Sequence, residues 1–87
     1  MTEDPLIAGL RAQISALDRE VLAAFNRRLE LVARLKRRKD ELGLDFVDPD
    51  RERRMLEELR SANPGPLSAE GVEALLRAVL DLTKREV

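Results

Sequence analysis

A long helical segment near the start of the chain limits what the whole chain can fold into. Asp4 and Pro5 form a typical helix start, because an aspartate caps free N–H groups and a proline at the first helical position has no N–H to leave unpaired. After Gly9, no glycine or proline follows until Gly43, which suits the left-handed residue beyond a helix end. The pattern predicts one helix from about Pro5 to Leu42.

This predicted helix is too long to be buried by the rest of an 87-residue chain. At about 1.5 Å per residue it is roughly 55 Å long, whereas a compact chain of this size has a radius of gyration of about 12 Å. Its apolar residues occupy the a and d positions of heptads, with Phe25 and Val32 beside them at e. The a and d set is Ile7, Leu10, Ile14, Leu17, Val21, Ala24, Leu31 and Leu35. We therefore expect this face to be buried against a second copy of the chain.

Two shorter helices are predicted in the second half of the chain. Asp48 and Pro49 repeat the cap-then-proline start, and the helix that follows runs to about Ser61. The turn at residues 63–66, Asn-Pro-Gly-Pro, interrupts any helix, and Ser68 then caps a third one. No segment is typical of a β-strand, so the sequence predicts an all-α fold with one long and two short helices in a single domain, residues 1–87.

Composition excludes several classes of protein. The net charge is -1, which gives no overall attraction to nucleic acid or anionic lipid, and we expect the basic run at residues 34–39 to be helix surface. The chain has no Cys and no His, so it lacks a thiol nucleophile, a disulfide scaffold and the commonest metal ligands. The apolar stretches are too short for a membrane span or a signal peptide. These features predict a soluble, cytoplasmic protein with no metal and no cofactor.

Charged residues interrupt the face that the helical pattern places inward. Arg28 falls on an a position of the long helix, and Arg11 and Lys39 fall on e positions. Arg28 and Lys39 are about three turns apart, roughly 16 Å along the axis, so both can reach a small ligand between them. Arg11 is roughly 25 Å from Arg28 and reaches such a site only from the other chain of an antiparallel pair. Glu52 lies on the packing face of the second helix, which begins after Asp48.

Each of these residues also has an ordinary structural interpretation. Arg28, as an arginine at an a position, could fix the register of paired helices. Lys39 lies near a helix C-terminus, where a lysine interacts favourably with the helix dipole. Asp48 caps a helix, and Arg51 and Glu52 could form a surface ion pair beside it. Taken together, the charges favour a site for a small dianion that bears a hydroxyl. They also suit a transition state in which negative charge develops on one atom. Nucleophilic, metal-assisted and nucleotide chemistry are poorly supported by this set of residues.

In order along the chain, three segments and one lysine resemble one known family. The chain looks like the all-helical, type II chorismate mutases at LRAQISALD (residues 10–18), RRLEL (27–31), Lys39 and DPDRE (48–52). This resemblance covers essentially the whole chain. It implies an intertwined homodimer of three-helix chains. It also implies the conversion of chorismate to prephenate in aromatic amino acid biosynthesis, by a pericyclic Claisen rearrangement without a cofactor or a covalent intermediate.

The resemblance assigns roles to individual residues. Arg28 and the other subunit's Arg11 would bind substrate carboxylates, while Lys39 would face the breaking ether oxygen. The acid at Glu52 would bind the ring hydroxyl. The implied catalytic residues are thus Lys39, Glu52 and Arg28. The implied substrate-binding residues are Arg11, Arg28, Asp48, Arg51, Thr83 and Val87.

Val87 departs from the family pattern, which has Gln or Glu at this place to help the lysine bind the ether oxygen. Valine has no side-chain donor, and the loss of one preorganised donor costs roughly 2.7 to 4 kcal/mol in rate. The turn at residues 63–66 resembles mutase domains fused to 3-deoxy-arabino-heptulosonate 7-phosphate synthase, which implies a fused or partner enzyme of the shikimate pathway. Two further functions stay open. One is mutase or lyase action on aminodeoxychorismate or isochorismate, and the other is a noncatalytic helical dimerisation or regulatory module.

Overall fold

Three α-helices make up the fold. The computed structural model describes residues 4–87, so the first three residues of the predicted domain (1–87) lie outside it. The helices are α1 (Pro5–Glu41), α2 (Pro49–Ala62) and α3 (Ala69–Glu86), and no strand occurs between residues 4 and 87. The predicted all-α class is confirmed, and the predicted ends of the first two helices, Leu42 and Ser61, each differ by one residue from those observed.

The predicted cap residues begin all three helices. In each case a side-chain oxygen accepts a hydrogen bond from a backbone N–H in the first turn. The three pairs are Asp4 Oδ1 with Leu6 at 2.8 Å, Asp48 Oδ1 with Arg51 at 3.1 Å, and Ser68 Oγ with Gly71 at 3.0 Å. These bonds satisfy N–H groups that have no acceptor within the helix, and they therefore fix where each helix begins.

The end of α1 is a tight turn at Gly43. This glycine has a φ of 70°, a left-handed conformation that side chains disfavour. The Gly43 N–H donates to the Asp40 carbonyl at 3.2 Å, and the Leu44 N–H donates to the Lys39 carbonyl at 2.8 Å. This pair of bonds is the Schellman motif, which satisfies the last carbonyl groups of a helix and reverses the chain.

The described chain divides into two compact units. The first is the part of α1 up to Leu31, and the second is Val32–Val87. In the first unit the predicted apolar face is largely exposed, with Leu10 49% and Val21 68% accessible. A continuous apolar surface of this kind is unfavourable in water, and it is available to be covered by another molecule. None of the helices in residues 4–87 is long and apolar enough to cross a membrane.

In the second unit, α2 and α3 pack against each other. The most buried apolar side chains are Val72 and Leu76, four residues apart on one face of α3. An ion pair joins the two helices at their edge, with Arg60 Nη2 2.9 Å from Glu73 Oε2. Because both of its side chains are about 41% exposed, this pair contributes little energy to the packing of α2 against α3.

Replacing the cap residue of α3 should destabilise this pair of helices. In Ser68→Ala the Gly71 N–H loses its side-chain acceptor, so we expect the free energy of unfolding to fall by about 1 kcal/mol. Urea denaturation followed by circular dichroism measures the change. Ser61→Ala is the matched control, because Ser61 is exposed in the last turn of α2 and caps no helix start. Equal stability of the two variants would contradict the capping role.

Candidate active site

Lys39 lies in the last turn of α1 and is half-buried. The Schellman turn that ends this helix sends the following loop back past the lysine, and Lys39 Nζ donates to the Phe46 carbonyl at 3.3 Å. A lysine ammonium has three protons, so this bond orients the group and leaves donors for another acceptor. Because the Phe46 carbonyl is neutral, it does not cancel the charge of the ammonium.

Lys36 lies one turn before Lys39, and sequence reasoning missed it. Its Nζ donates to the backbone oxygen of Val87 at 3.0 Å and lies 5.5 Å from the centroid of the Phe46 ring. The basic run at residues 34–39 was expected to be helix surface, but Lys36 is half-buried, whereas Arg37 beside it is exposed. The available signal was the spacing of three between the two lysines, which places them on the same face of a helix.

Three predicted site residues lie at the start of α2. Asp48 caps this helix and is exposed, as is Arg51, whose backbone N–H is the donor to the cap. Glu52 is half-buried, and its Oε1 is 3.1 Å from Lys84 Nζ on α3. Sequence reasoning also missed Lys84, since no local pattern relates two residues that are far apart in the chain. Both side chains of this ion pair are partly exposed, so it orients the Glu52 carboxylate with little energy.

A cavity of about 230 Å³ lies between α2 and α3. Its apolar lining consists of Leu56, Leu76 and Leu80, and its charged lining consists of Glu52, Arg53, Glu73, Arg77, Asp81 and Lys84. Of the predicted site residues, this cavity includes Glu52 and neither Lys39 nor Thr83. In a single chain, therefore, this cavity does not enclose the predicted set of residues.

Thr83 and Val87 lie at the C-terminal end of α3. Thr83 is 4% exposed, and its hydroxyl donates to the Val79 carbonyl at 2.6 Å. A hydroxyl has a single proton, so Thr83 can donate to a carboxylate only after this bond has broken. Val87 is half-buried, and its N–H donates to the Thr83 carbonyl at 2.9 Å. Its backbone oxygen accepts the hydrogen bond from Lys36.

The two predicted arginines belong to the first unit. Arg28 is half-buried on α1, whereas Arg11 is exposed. The sequence pattern places both on an inward face, but in a single chain Arg11 faces solvent. The physical reason is that the apolar residues around it are exposed as well, so residues on this face become buried only when another molecule covers them.

The described side chains suit electrostatic chemistry. Lys39 presents an ammonium held by a neutral carbonyl, and Glu52 presents a carboxylate held by a lysine. Preorganised groups of this kind stabilise charge that develops on a bound molecule, because they need little rearrangement during the reaction. Within residues 4–87, no three His, Cys, Asp or Glu side chains are grouped so that they could hold a metal ion.

Comparison with known proteins identifies related sequences. The family described as chorismate mutase type II matches residues 10–86. The T-protein of Haemophilus influenzae is 41% identical over 69 residues, which is 78% of this chain and 18% of that relative. The chain therefore spans less than a fifth of the length of this curated relative.

Two solved structures have a similar backbone, and both are of chorismate mutase from Thermus thermophilus. Form I has a TM-score of 0.86 and 35% sequence identity, and the match covers 88% of this chain and 96% of that chain. Form II has a TM-score of 0.88 and 34% sequence identity, and the match covers 91% of this chain and 90% of that chain. The similarity thus includes nearly all of both solved chains and not merely one pair of helices.

Proposed function

The chain belongs to the type II chorismate mutase family, and from this premise we propose that it converts chorismate to prephenate in the biosynthesis of phenylalanine and tyrosine. The observation that carries the proposal is the family match over residues 10–86. The rearrangement is intramolecular: one ether bond breaks while one carbon–carbon bond forms. Its catalysis therefore requires a fixed substrate conformation and stabilisation of developing charge, which the described side chains can supply.

Lys39 is proposed to stabilise the charge on the ether oxygen. As the carbon–oxygen bond breaks, negative charge accumulates on this oxygen, and a nearby ammonium then binds the transition state more tightly than the substrate. The hydrogen bond to Phe46 supports this role, because it directs the ammonium and still leaves two of its three protons available. Arg28 is proposed to bind a substrate carboxylate through its planar guanidinium.

Glu52 is proposed to accept a hydrogen bond from the ring hydroxyl of the substrate. Lys84 contacts one of its oxygens, Oε1, and a carboxylate has further lone pairs with which to bind a hydroxyl. Asp48 and Arg51 would form the edge of the same pocket from the start of α2. Thr83 would bind a carboxylate only after its hydroxyl turns away from the Val79 carbonyl, so we assign it a smaller contribution.

The proposed active protein is a homodimer in which two α1 helices cover each other. The exposed apolar residues of the first unit, such as Leu10, Leu17 and Val21, support this assembly, since burial of the half or more of each side chain that is still exposed stabilises it by about 1 kcal/mol each. In this dimer the partner copy contributes its Arg11 to the site that contains Arg28. An isolated chain would then have an incomplete site.

Two broader expectations belong to the same proposal. The first is a cytoplasmic location. The second is a fused or separate partner enzyme of the shikimate pathway, which the turn at residues 63–66 suggests. Fractionation of cells that express the chain, and co-purification with 3-deoxy-arabino-heptulosonate 7-phosphate synthase from the same organism, would test them. Failure to co-purify would remove the partner from the proposal and leave the reaction unaffected.

Identification of the product tests the proposed reaction against its alternatives. The purified chain is incubated separately with chorismate, aminodeoxychorismate and isochorismate, and the products are followed by proton NMR. We expect prephenate from chorismate at a rate well above that of the sample without protein. Release of pyruvate from isochorismate, with chorismate unchanged, would instead identify a lyase. If all three substrates remain unchanged, the chain is a noncatalytic module.

Restoring a donor at position 87 should raise the rate. In Val87→Gln a side-chain amide becomes available for the ether oxygen, and we expect kcat to increase about tenfold. The gain is smaller than the roughly 10²- to 10³-fold effect of a preorganised donor, because a new glutamine is not held in place by neighbouring groups. Steady-state kinetics with chorismate measures it. Val87→Leu is the control for side-chain size, and equal rates for the two variants would contradict this role for position 87.

A further inference from the structure

We infer that Lys36 is a positioning residue for Lys39 and that it acts through Phe46 and Val87. The inference rests on the proposed mutase function, in which Lys39 contacts the reacting atoms. It comes from three contacts within the second unit. Lys36 Nζ lies 5.5 Å from the centroid of the Phe46 ring, Lys39 Nζ donates to the Phe46 carbonyl at 3.3 Å, and Lys36 Nζ donates to the backbone oxygen of Val87 at 3.0 Å.

Phe46 is the residue that both lysines contact. Lys36 lies near its ring, and Lys39 binds its backbone carbonyl, so a shift of the ring also moves the acceptor that directs Lys39. The loop is held at Leu44 by its backbone bond to Lys39 and at Asp48 by the cap of α2, whereas the side chains of Leu44 and Val47 are 55% and 48% exposed. Phe46, in contrast, is half-buried. The contact between the ammonium and the ring is therefore a side-chain restraint on Phe46 within this loop.

Val87 supplies the second anchor of Lys36. Its N–H continues the hydrogen bonding of α3 through the Thr83 carbonyl, so the backbone of Val87 is attached to the end of this helix. The bond from Lys36 to the backbone oxygen of Val87 is partly buried and joins two residues separated by 51 positions in the chain. Lys36 is thereby held between the end of α3 and the loop, and it holds the loop against the last turns of α1. A lysine that only solvated a helix surface would have neither contact.

Kinetics distinguish positioning from a purely structural role. If Lys36 directs Lys39, its loss lowers kcat and leaves KM nearly unchanged, because Lys39 acts mainly in the transition state. A purely structural role would lower the amount of folded protein and leave the turnover of the folded fraction constant. Arginine is a suitable rescue, since a guanidinium can also bind a carbonyl and lie over an aromatic ring.

The experiment uses the full chain with the substitutions Lys36→Met, Lys36→Arg and Phe46→Leu, and the double variant of Lys36→Met with Phe46→Leu. We expect Lys36→Met and Phe46→Leu each to lower kcat roughly tenfold, within the range that small displacements of a catalytic group produce. Lys36→Arg should retain most of the activity. The double variant should have a kcat no lower than that of the less active single variant, because both substitutions disrupt the same contacts from Lys36 through Phe46 to Lys39.

Arg38→Met is the matched control. Arg38 lies on the same turns of α1, is exposed, and pairs with Glu41 at 3.0 Å, so this change removes one positive charge without touching Phe46 or Val87. Its kcat should equal that of the unchanged chain. Circular dichroism and gel filtration establish that each variant is folded. If Lys36→Met does not fold, the kcat values of Phe46→Leu and Lys36→Arg decide the question.

The outcomes separate this inference from the proposed function. An active parent chain whose kcat is unaffected by Lys36→Met would overturn the inference and leave the mutase function intact. If the losses of kcat from the two single substitutions multiply in the double variant, Lys36 does not act on Lys39 through Phe46. A parent chain that does not convert chorismate would overturn the proposed function, and the inference with it. Equal losses for Lys36→Met and Arg38→Met would show that net charge alone accounts for the effect.

Discussion

Replacing Lys39 with methionine is expected to lower kcat by about 10²- to 10³-fold and to leave the protein folded. Methionine retains much of the aliphatic stem of the lysine, so packing at the end of α1 is preserved. The lost ammonium is the group proposed to bind the ether oxygen, and preorganised donors of this kind typically have effects of this size. Single-turnover and steady-state kinetics with chorismate, together with circular dichroism, measure the loss.

The matched control for this substitution is again Arg38→Met, the preceding residue, which is exposed and pairs with Glu41. Both changes remove one positive charge from the last turn of α1, where such charge also favours the helix dipole. They should therefore have similar effects on stability and very different effects on rate. If Lys39→Met retains kcat within a few-fold of the parent chain, the proposed role of this ammonium is contradicted.

The second large effect is expected from the arginines proposed to bind carboxylates. Arg11→Ala and Arg28→Ala should each lower kcat/KM roughly 100-fold, because each removes charge-assisted hydrogen bonds to a substrate anion. When chains carrying the two single substitutions bear different affinity tags and are purified over both, every dimer is mixed. One of its two sites then has both arginines, so we expect about half of the parent activity per dimer.

The reciprocal mixture provides the control. A chain with both Arg11→Ala and Arg28→Ala, paired with an unchanged chain, has one missing arginine in each site if Arg11 acts across the dimer. We therefore expect this mixture to have very low activity, although it contains the same total number of arginines as the first one. If Arg11 and Arg28 served the same chain, the order of the two mixtures would be reversed. That result would contradict the shared site.

Much of the fold is predictable because its determinants are local. Asp4, Asp48 and Ser68 cap the helices by binding N–H groups two or three residues away, and Gly43 adopts the positive φ that a helix end requires. Such short-range interactions can be inferred from neighbouring residue types. The exposure of the apolar face of α1 agrees with its heptad pattern, because α1 has 37 residues whereas the other two described helices have 14 and 18.

The side-chain contacts of the site depend on distant residues and could not be predicted in this way. The ion pair of Glu52 with Lys84 joins two helices, and the hydrogen bond from Lys36 to Val87 joins residues that are 51 positions apart in the sequence. The i–4 hydrogen bond of Thr83 illustrates a different difficulty. A threonine in a helix either donates to its own backbone or turns toward a ligand, and the residue type alone does not decide between them.

The most direct test of the central claim is the rate of chorismate rearrangement with the purified chain, relative to the uncatalysed rate in the same buffer and with Lys39→Met in parallel. We predict that the unchanged chain accelerates the reaction about 10⁶-fold, the lower end of typical enzymatic accelerations, and that the loss of the Lys39 ammonium reduces this rate by about 10²- to 10³-fold. An unchanged chain that leaves chorismate to react at the uncatalysed rate would contradict the claim.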